Sequence, residues 1–186
     1  MYTAIAKLEG VPLYQQGRYH NTPKLEREGY EDYEKRTWIE RAHFTPDGHV
    51  FIPPMQLKLS LEAAAKYVSR QIPGKGKATY TKHFRSGVMV FDPLVLPLKR
   101  EDIKEYWVHV PSDGVKGGGK RVPKCFPTIE HWEGNVEYNV FDETVTLEVL
   151  KEHLEEAGRF IGIGVFRPGQ GGYNGRYKVH SVKKMA

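Results

Sequence analysis

Hydrophobic residues recur at regular spacing along the chain, and the first two such stretches predict a strand and then a helix. Residues 2–11 alternate loosely through Ile5, Leu8 and Val11, which indicates a first strand. After Pro53 and Pro54, leucine and alanine recur at three- and four-residue spacing through MQLKLSLEAAAKYVSRQI. Because proline suits the first turn of a helix, this stretch predicts a helix that ends before Pro73-Gly74.

A second helix is predicted to begin at Thr144 or Thr146 and to end at Gly158, with its leucines on the inner face. A short helix is expected within residues 24–36, and a Pro-Asp-Gly turn predicts a hairpin of residues 37–43 and 49–52. Further strands are expected at residues 88–91, 95–98, 103–110, 128–132, 135–141, 160–166 and 176–182. The last two are expected to pair around a glycine-rich loop.

Without the hairpins, the predicted order is strand, helix, strand, strand, helix, strand. This order is typical of the ferredoxin-like (RRM-like) split β-α-β fold, in the α+β class, with two main helices on one face of an antiparallel sheet. The chain has 186 residues and no long linker, so we expect a single domain over residues 1–186.

Charge is distributed very unevenly along this chain. The net charge is only +5, but residues 63–91, 114–129 and 157–186 contain 16 of the 28 lysines and arginines and no aspartate or glutamate. Such segregation is typical of proteins that bind a polyanion, and it predicts a positive face on an otherwise acidic body.

Composition excludes several classes of protein. No apolar run approaches the roughly 20 residues of a membrane helix, and the N-terminus is too short and polar for a signal peptide. A single cysteine, Cys125, excludes an internal disulfide and a cysteine-rich zinc site. We therefore expect a soluble cytoplasmic protein that needs no cofactor or metal and contacts no membrane.

The segment GRFIGIGVFRPGQGGYNGRYKV, which starts at Gly158, is the strongest candidate for binding nucleic acid. Glycine lets another chain approach closely, and the interspersed cations attract phosphate. Residues 75–85 mix cations with aromatic rings, as single-strand binders do, and residues 112–124 form a glycine-lysine loop. The candidate contacts are Lys58, Lys75, Lys77, Tyr80, Lys82, Arg85, Lys116, Lys120, Arg121, Lys124, Arg159, Gly162, Gly164, Arg167, Gly172, Gly175 and Arg176. Trp107 and Tyr138 are further candidates for stacking on bases from the sheet.

Two stretches carry a resemblance to a known family. The segment DGHVFIPPMQLKLSLEAAAK, through Gly48, Ile52, Pro53, Leu57 and Lys58, resembles the IP-LK segment that opens the first helix of RAMP-superfamily proteins, the RRM-like subunits of CRISPR effector complexes. The late glycine-rich segment resembles the family's glycine-rich loop. Its matching residues are Gly158, Gly162, Gly164, Arg167, Gly172, Gly175, Tyr177 and Val179.

The resemblance implies an RRM-like fold and RNA binding, as in the backbone-type subunits that coat a guide RNA. The chain looks like a small stand-alone version, similar to uncharacterised bacteriophage proteins. It departs from the family's pattern at Pro54 and Leu61, and it lacks the large thumb insertion of the filament-forming subunits.

Two alternatives to a non-catalytic RNA-binding protein stay open. The first is a viral interaction protein that docks onto or imitates a nucleoprotein complex, through a protein partner or self-association. The second is a metal-independent endoribonuclease, for which His43 and His49 are the best candidates because they can face each other across the predicted hairpin. Among the carboxylates considered for metal-dependent hydrolysis, only Asp142 and Glu143 are adjacent, and Asp142 is better placed to cap the following helix. The carboxylates considered are Asp47, Asp92, Asp102, Asp113, Asp142 and Glu143.

Overall fold

Nine strands and four α-helices follow one another in the part of the chain that the computed structural model describes, residues 1–11, 13–115 and 117–185. The strands are β1 (Tyr2–Val11), β2 (Tyr14–Gln15), β3 (Phe51–Ile52), β4 (Val88–Met89), β5 (Leu94–Val95), β6 (Lys104–Pro111), β7 (Arg121–Ile129), β8 (Glu133–Val140) and β9 (Arg176–Lys184). The helices are α1 (Tyr30–Thr37), α2 (Pro54–Val68), α3 (Thr81–Gly87) and α4 (Leu147–Glu156).

The main sheet has four strands in the order β4-β8-β1-β9, and every neighbouring pair is antiparallel. Along the chain its elements follow as β1, α2, β4, β8, α4 and β9. The first strand therefore lies between the third and the fourth, and the second lies at the edge. This arrangement confirms the predicted ferredoxin-like split β-α-β fold of the α+β class.

One hydrophobic core joins this sheet to α2 and α4. Ala4, Ala6 and Leu8 alternate along β1 and are fully buried, while Lys7 between them is exposed. The same core contains residues of α2, β8 and α4, namely Leu57, Leu61, Val136, Tyr138, Val140, Leu150 and Leu154. Because each fully buried leucine stabilises a fold by roughly 1.5–3 kcal/mol, these side chains fix both helices on one face of the sheet.

Local signals at the helix ends act as expected. Pro54 lies in the first turn of α2, where its missing N–H costs no hydrogen bond. The Thr146 side chain caps α4 by accepting a hydrogen bond from the N–H of Val149 at 3.3 Å. The predicted helix start at Thr146 is thereby confirmed.

A second sheet of order β2-β7-β6 lies beside the main one, together with a small ribbon of β3 and β5. The hairpin of β6 and β7 pairs Lys104 with Thr128 at one end and Pro111 with Arg121 at the other. A buried ion pair joins α1 and the 3-10 turn Trp38–Arg41 to this hairpin. There Glu34 accepts a hydrogen bond from the N–H of Cys125 at 3.1 Å, and Arg41 donates to the carbonyl of Cys125 at 3.2 Å.

Two predicted strands and one predicted strand pairing are wrong. Most of residues 37–43 form the end of α1 and the 3-10 turn, and only Phe44 and Val50 bridge across the Pro-Asp-Gly turn. Residues 160–166 do not form a strand, because the chain makes a π-helical turn at Ala157–Ile161 and then a loop. The strand β9 pairs with β1 instead, where Arg176 lies opposite Val11.

None of the helices within the described residues is both long and apolar enough to span a bilayer.

Candidate nucleic-acid interface

The glycine-rich segment forms a compact shelf against the first strands. Gly164 has φ +76°, and a Cβ there would overlap the carbonyl of Gln15 and lie 2.8 Å from the Tyr14 ring. Gly175 has φ +73°, and its Cβ would overlap the carbonyl of Ile163. Glycine at these two positions therefore serves the fit of the segment to its own protein.

Most backbone donors of this segment are used inside the protein. The N–H of Ile163 donates to Gly175 at 2.9 Å, and the N–H of Val165 donates to Gln15 at 3.1 Å. The side chain of Asn174 donates to Oε1 of Gln15 at 2.7 Å, in a buried contact. Because these N–H groups already have partners inside the protein, the side chains that project from the shelf are the candidate contacts.

A cleft of about 820 Å³ opens between the shelf, α1 and the β6–β7 hairpin. It is lined by cations, aromatic rings and loop backbone, and it joins two of the three acid-free segments. Its lining includes Lys24, Tyr30, Tyr33, Glu34, Val110, Pro111, Ser112, Asp113, Gly114, Gly117, Arg121, Val122, Pro123, Lys124, Phe126, Val165, Phe166, Gln170, Gly171 and Gly172.

The cleft has a net positive wall. Arg121 donates to the carbonyl of His109 at 3.1 Å, and no carboxylate pairs with Arg121 or Lys124 among the described residues. The ammonium of Lys24 lies 4.2 Å from the ring centre of Tyr30. The two lining carboxylates are engaged, Glu34 by Arg41 at 2.8 Å and Asp113 by the N–H of Val115 at 3.0 Å. The cations Lys24, Arg121 and Lys124 outnumber the carboxylates of Glu34 and Asp113 in the lining, and Arg41 compensates the charge of Glu34, so the cleft favours an anionic ligand.

Aromatic rings occupy the floor and one wall of the cleft. Phe166 and Phe126 pack edge to face with ring centroids 5.2 Å apart. Phe166 has φ +55°, a left-handed conformation that costs energy for a residue with a bulky side chain. Tyr30 and Tyr33 contribute from α1. Sequence reasoning missed these four rings and Lys24, and only the position of Phe166-Arg167 between glycines could have pointed to one of them.

A second, smaller groove of about 240 Å³ lies on the other side of the shelf, against α2. Leu59, Ser60 and Ala63 of α2 line it together with residues 161–165 and Arg167. Val165 lines both this groove and the cleft, so the shelf separates two adjacent concave surfaces. Arg167 is fixed there by donating to the carbonyl of Gly164 at 2.8 Å.

The candidates within the acid-free segment 63–91 lie elsewhere. Lys75, Lys77 and Lys82 are exposed, but no residue of 63–91 lines the cleft among the described residues. The cleft therefore combines only two of the three acid-free segments, which corrects the expectation that all three form one positive face. The chain folds residues 69–80 into a separate loop beyond the C-terminus of α2, so their charge is removed from the shelf.

Several predicted contacts are already occupied or buried. Lys58 pairs with Glu62 and donates to the carbonyl of Arg85 at 2.9 Å. Arg85 itself lies 3.7 Å from Glu62. Tyr80 is only 6% exposed and packs on Phe84 and His153, so the expectation that its ring stacks on a base is wrong.

The two sheet candidates for stacking are corrected as well. Tyr138 is fully buried in the core beneath α2 and α4. Trp107 lies on β6, in the second sheet, and donates its indole N–H to Glu105 at 2.7 Å. Neither ring is therefore available on the main sheet to stack on a base.

The remaining candidates are distributed around the shelf. Arg176 donates to the carbonyls of Arg159 at 3.2 Å and Tyr173 at 2.9 Å. Lys120 is exposed just before β7, and Lys116 lies outside the described residues. Gly162 and Gly172 pack against other parts of the same segment.

The histidines do not assemble as predicted. The ring of His43 packs on Phe51 and not on His49. The reason is the register of the turn, because the bridge between Phe44 and Val50 places His43 opposite Phe51. Burial, and then the charge of Arg18, lower the pKa of His43. Nδ1 of His49 lies 2.7 Å from Oδ2 of Asp47, two residues away.

A different histidine has a carboxylate partner from a distant element. Nδ1 of His83 in α3 lies 2.6 Å from Oδ2 of Asp142, and Oδ1 of the same carboxylate accepts a hydrogen bond from the N–H of Thr144 at 2.9 Å. Burial raises the pKa of Asp142, but the hydrogen bonds from His83 and Thr144 outweigh burial and hold this pKa below its usual value. The pair ties α3 to the turn before α4. Within the described residues, no group of three or more His, Cys, Asp or Glu could hold a metal ion.

Comparison with known proteins gives distant structural likenesses. No family model matches the chain. The structure of Cmr6 from Pyrococcus furiosus is similar over 97% of this chain and 100% of that one, with 14% identity and a TM-score of 0.48. A structure of a Cas6 product complex is similar over 94% of this chain, at 11% identity and a TM-score of 0.35, and this chain spans half of its length. The fold class is assigned from the strand order of the main sheet and does not depend on either of these similarities.

Proposed function

We propose that this protein binds single-stranded nucleic acid, RNA in the first place, in the cleft between the glycine-rich shelf, α1 and the β6–β7 hairpin. The observation that carries the proposal is the combination of unpaired cations and aromatic rings in one cleft, where Arg121 and Lys124 lie with Phe166 and Tyr30. Cations hold the phosphates of a single strand and rings stack on its bases.

The shape of the cleft favours a flexible strand over a duplex. The shelf lies between two concave surfaces that share Val165, so a strand can cross it and reach both. Unstacked bases can turn toward the rings, whereas a paired duplex keeps its bases inside the helix. Binding to an oligouridine that exceeds binding to a hairpin duplex of equal length would support this reading, and the reverse order would contradict it.

The binding is proposed to be non-catalytic. Among the described residues that line the cleft, none is a histidine, and the carboxylate of Glu34 is held by Arg41. General acid-base cleavage needs a base within hydrogen-bond reach of the reacting hydroxyl. The His83–Asp142 pair favours an endoribonuclease as the second candidate, but neither residue lines the cleft.

The wider setting is part of the same proposal. A single domain over residues 1–186, a cytoplasmic location, a bacteriophage origin and a protein partner remain predictions from the sequence. Equilibrium binding of a fluorescein-labelled oligouridine, measured by anisotropy at low salt, tests the proposed activity directly. Association that weakens steeply as salt is added is the expected result, and no association at low salt would refute the proposal.

A further inference from the structure

Two aromatic side chains outside the cleft remain exposed side by side. Tyr67 in the last turn of α2 is 66% exposed, and Phe160 in the π-helical turn is 40% exposed. Their ring centroids lie 5.6 Å apart and the planes are tilted by 34°. A protein gains stability by burying such rings, so an exposed pair on two different elements indicates a surface used for binding.

The surroundings of the pair are cationic. The Arg159 guanidinium lies 5.8 Å from the ring centre of Phe160, and Arg176 donates to the carbonyl of Arg159 at 3.2 Å. Lys66, next to Tyr67, is exposed. Both rings belong to acid-free segments, and the carboxylate of Glu155, which lines a pocket together with Arg159 and Arg176, lies 3.9 Å from the ammonium of Lys151.

The pair also adjoins the groove beside the shelf. Ala63 lines that groove and lies one helical turn before Tyr67, while Ile161 lines it and follows Phe160. The rings therefore lie next to one of the two concave surfaces that flank the glycine-rich shelf.

We propose that Tyr67 and Phe160, with Arg159, form a stacking site for one unpaired nucleobase. The inference rests on the proposed function, because it places a base of the same single strand beside the shelf. A nucleotide satisfies both parts of the surface, since its base stacks on the rings and its phosphate meets Arg159 or Arg176. An apolar segment of a protein partner would cover the rings and leave these cations unpaired.

The test compares oligouridine binding by three leucine variants. Tyr67→Leu and Phe160→Leu keep apolar area and remove the aromatic ring. Phe91→Leu is the matched control, because Phe91 is 61% exposed and packs on Phe141 with ring centroids 6.5 Å apart. Each of the first two variants is expected to weaken binding about fivefold to a hundredfold, and the control is expected to leave it unchanged.

The outcomes separate this inference from the proposed function. If the wild type binds oligouridine and both Tyr67→Leu and Phe160→Leu bind it with the same affinity, the stacking site is overturned and RNA binding stays in place. Absence of wild-type binding would overturn both. Photo-crosslinking of 4-thiouridine RNA to the wild-type protein gives a readout that needs no variant. Crosslinks at Tyr67 or Phe160 support the site, and crosslinks found only elsewhere contradict it.

Discussion

Glu34 and Arg41 form a bidentate ion pair that is almost completely buried, with two N–O distances of 2.8 Å. Both side chains are 8% exposed, and both also bond the backbone of Cys125 in β7. The pair thereby holds α1, one wall of the cleft, against the β6–β7 hairpin, which forms another.

Removing one partner of this pair should destabilise the protein strongly. Arg41→Met leaves the Glu34 carboxylate buried without its counter-charge, which costs about 3–5 kcal/mol of unfolding free energy. Urea denaturation measures this loss. Lys35→Met is the matched control, because Lys35 pairs with Glu31 at 2.7 Å on the exposed side of α1, where solvent screens the pair, so this substitution should cost far less stability. Equal losses in the two variants would show that the buried pair has no special role.

Alanine at Gly164 should disturb the shelf. The new Cβ meets the Gln15 carbonyl and the Tyr14 ring at a backbone φ of +76°, so we expect a loss of roughly 1–3 kcal/mol in thermal or urea unfolding. Gly74→Ala is the control, since Gly74 has φ +73° and open space around its Cβ position. Gly74→Ala introduces the backbone strain of a positive φ without any steric overlap. An equal loss of stability in Gly74→Ala and Gly164→Ala would show that the overlap at Gly164 contributes nothing.

The sequence predicts the split β-α-β plan because its main elements carry their own local signals. The leucines of α2 and α4 recur at helical spacing, and the threonine cap of α4 stands at the residue where the helix begins. The strand β2, in contrast, could not be predicted from a local pattern. It has only two residues, and they pair with Ile129 and Thr128, more than a hundred residues away.

The candidate site is predicted less well, and the reasons are physical. FIGIGVF alternates like a strand, but Gly162 and Gly164 adopt positive φ and turn the chain away from a ladder. Tyr80 stands in a basic stretch that looks solvated, yet α3 turns its ring onto His153. Charge segregation does identify Arg121 and Lys124, whereas Tyr30 and Tyr33 reach the cleft only through the tertiary fold.

The stability of the protein should fall as the pH drops below about 6.5, in part because of His153. Burial lowers the pKa of His153, with a smaller opposing effect of the hydrogen bond to Val149. The unfolded chain then binds a proton that the folded chain does not, so stability present above the ordinary value of 6.5 is lost as pH falls.

Urea unfolding between about pH 5 and pH 8 measures this dependence. His153→Leu should show a shallower decline than the wild type, whatever its absolute stability. His109→Leu serves as the control, because it also removes one histidine, and His109 is exposed on β6. An identical slope in His153→Leu and the wild type would contradict the prediction.

RNA incubated with the protein in EDTA should stay intact. His43 and His49 do not face each other, and His83 with Asp142 lies outside the residues that line the cleft. Gel electrophoresis after prolonged incubation checks this. Cleavage that disappears in His83→Ala would instead assign the protein to the endoribonucleases and refute non-catalytic binding.

The salt dependence of oligouridine binding tests the central claim most directly. Anisotropy titrations of the wild type should give a log–log salt slope of about −2, since each phosphate contact of a single strand contributes about −0.7 and the cleft offers Lys24, Arg121 and Lys124. Arg121→Gln with Lys124→Gln should weaken binding and reduce the slope by about 1.4, while Lys75→Gln with Lys77→Gln should change neither. Equal effects of the two double variants, or a larger effect of the second, would contradict binding in the cleft.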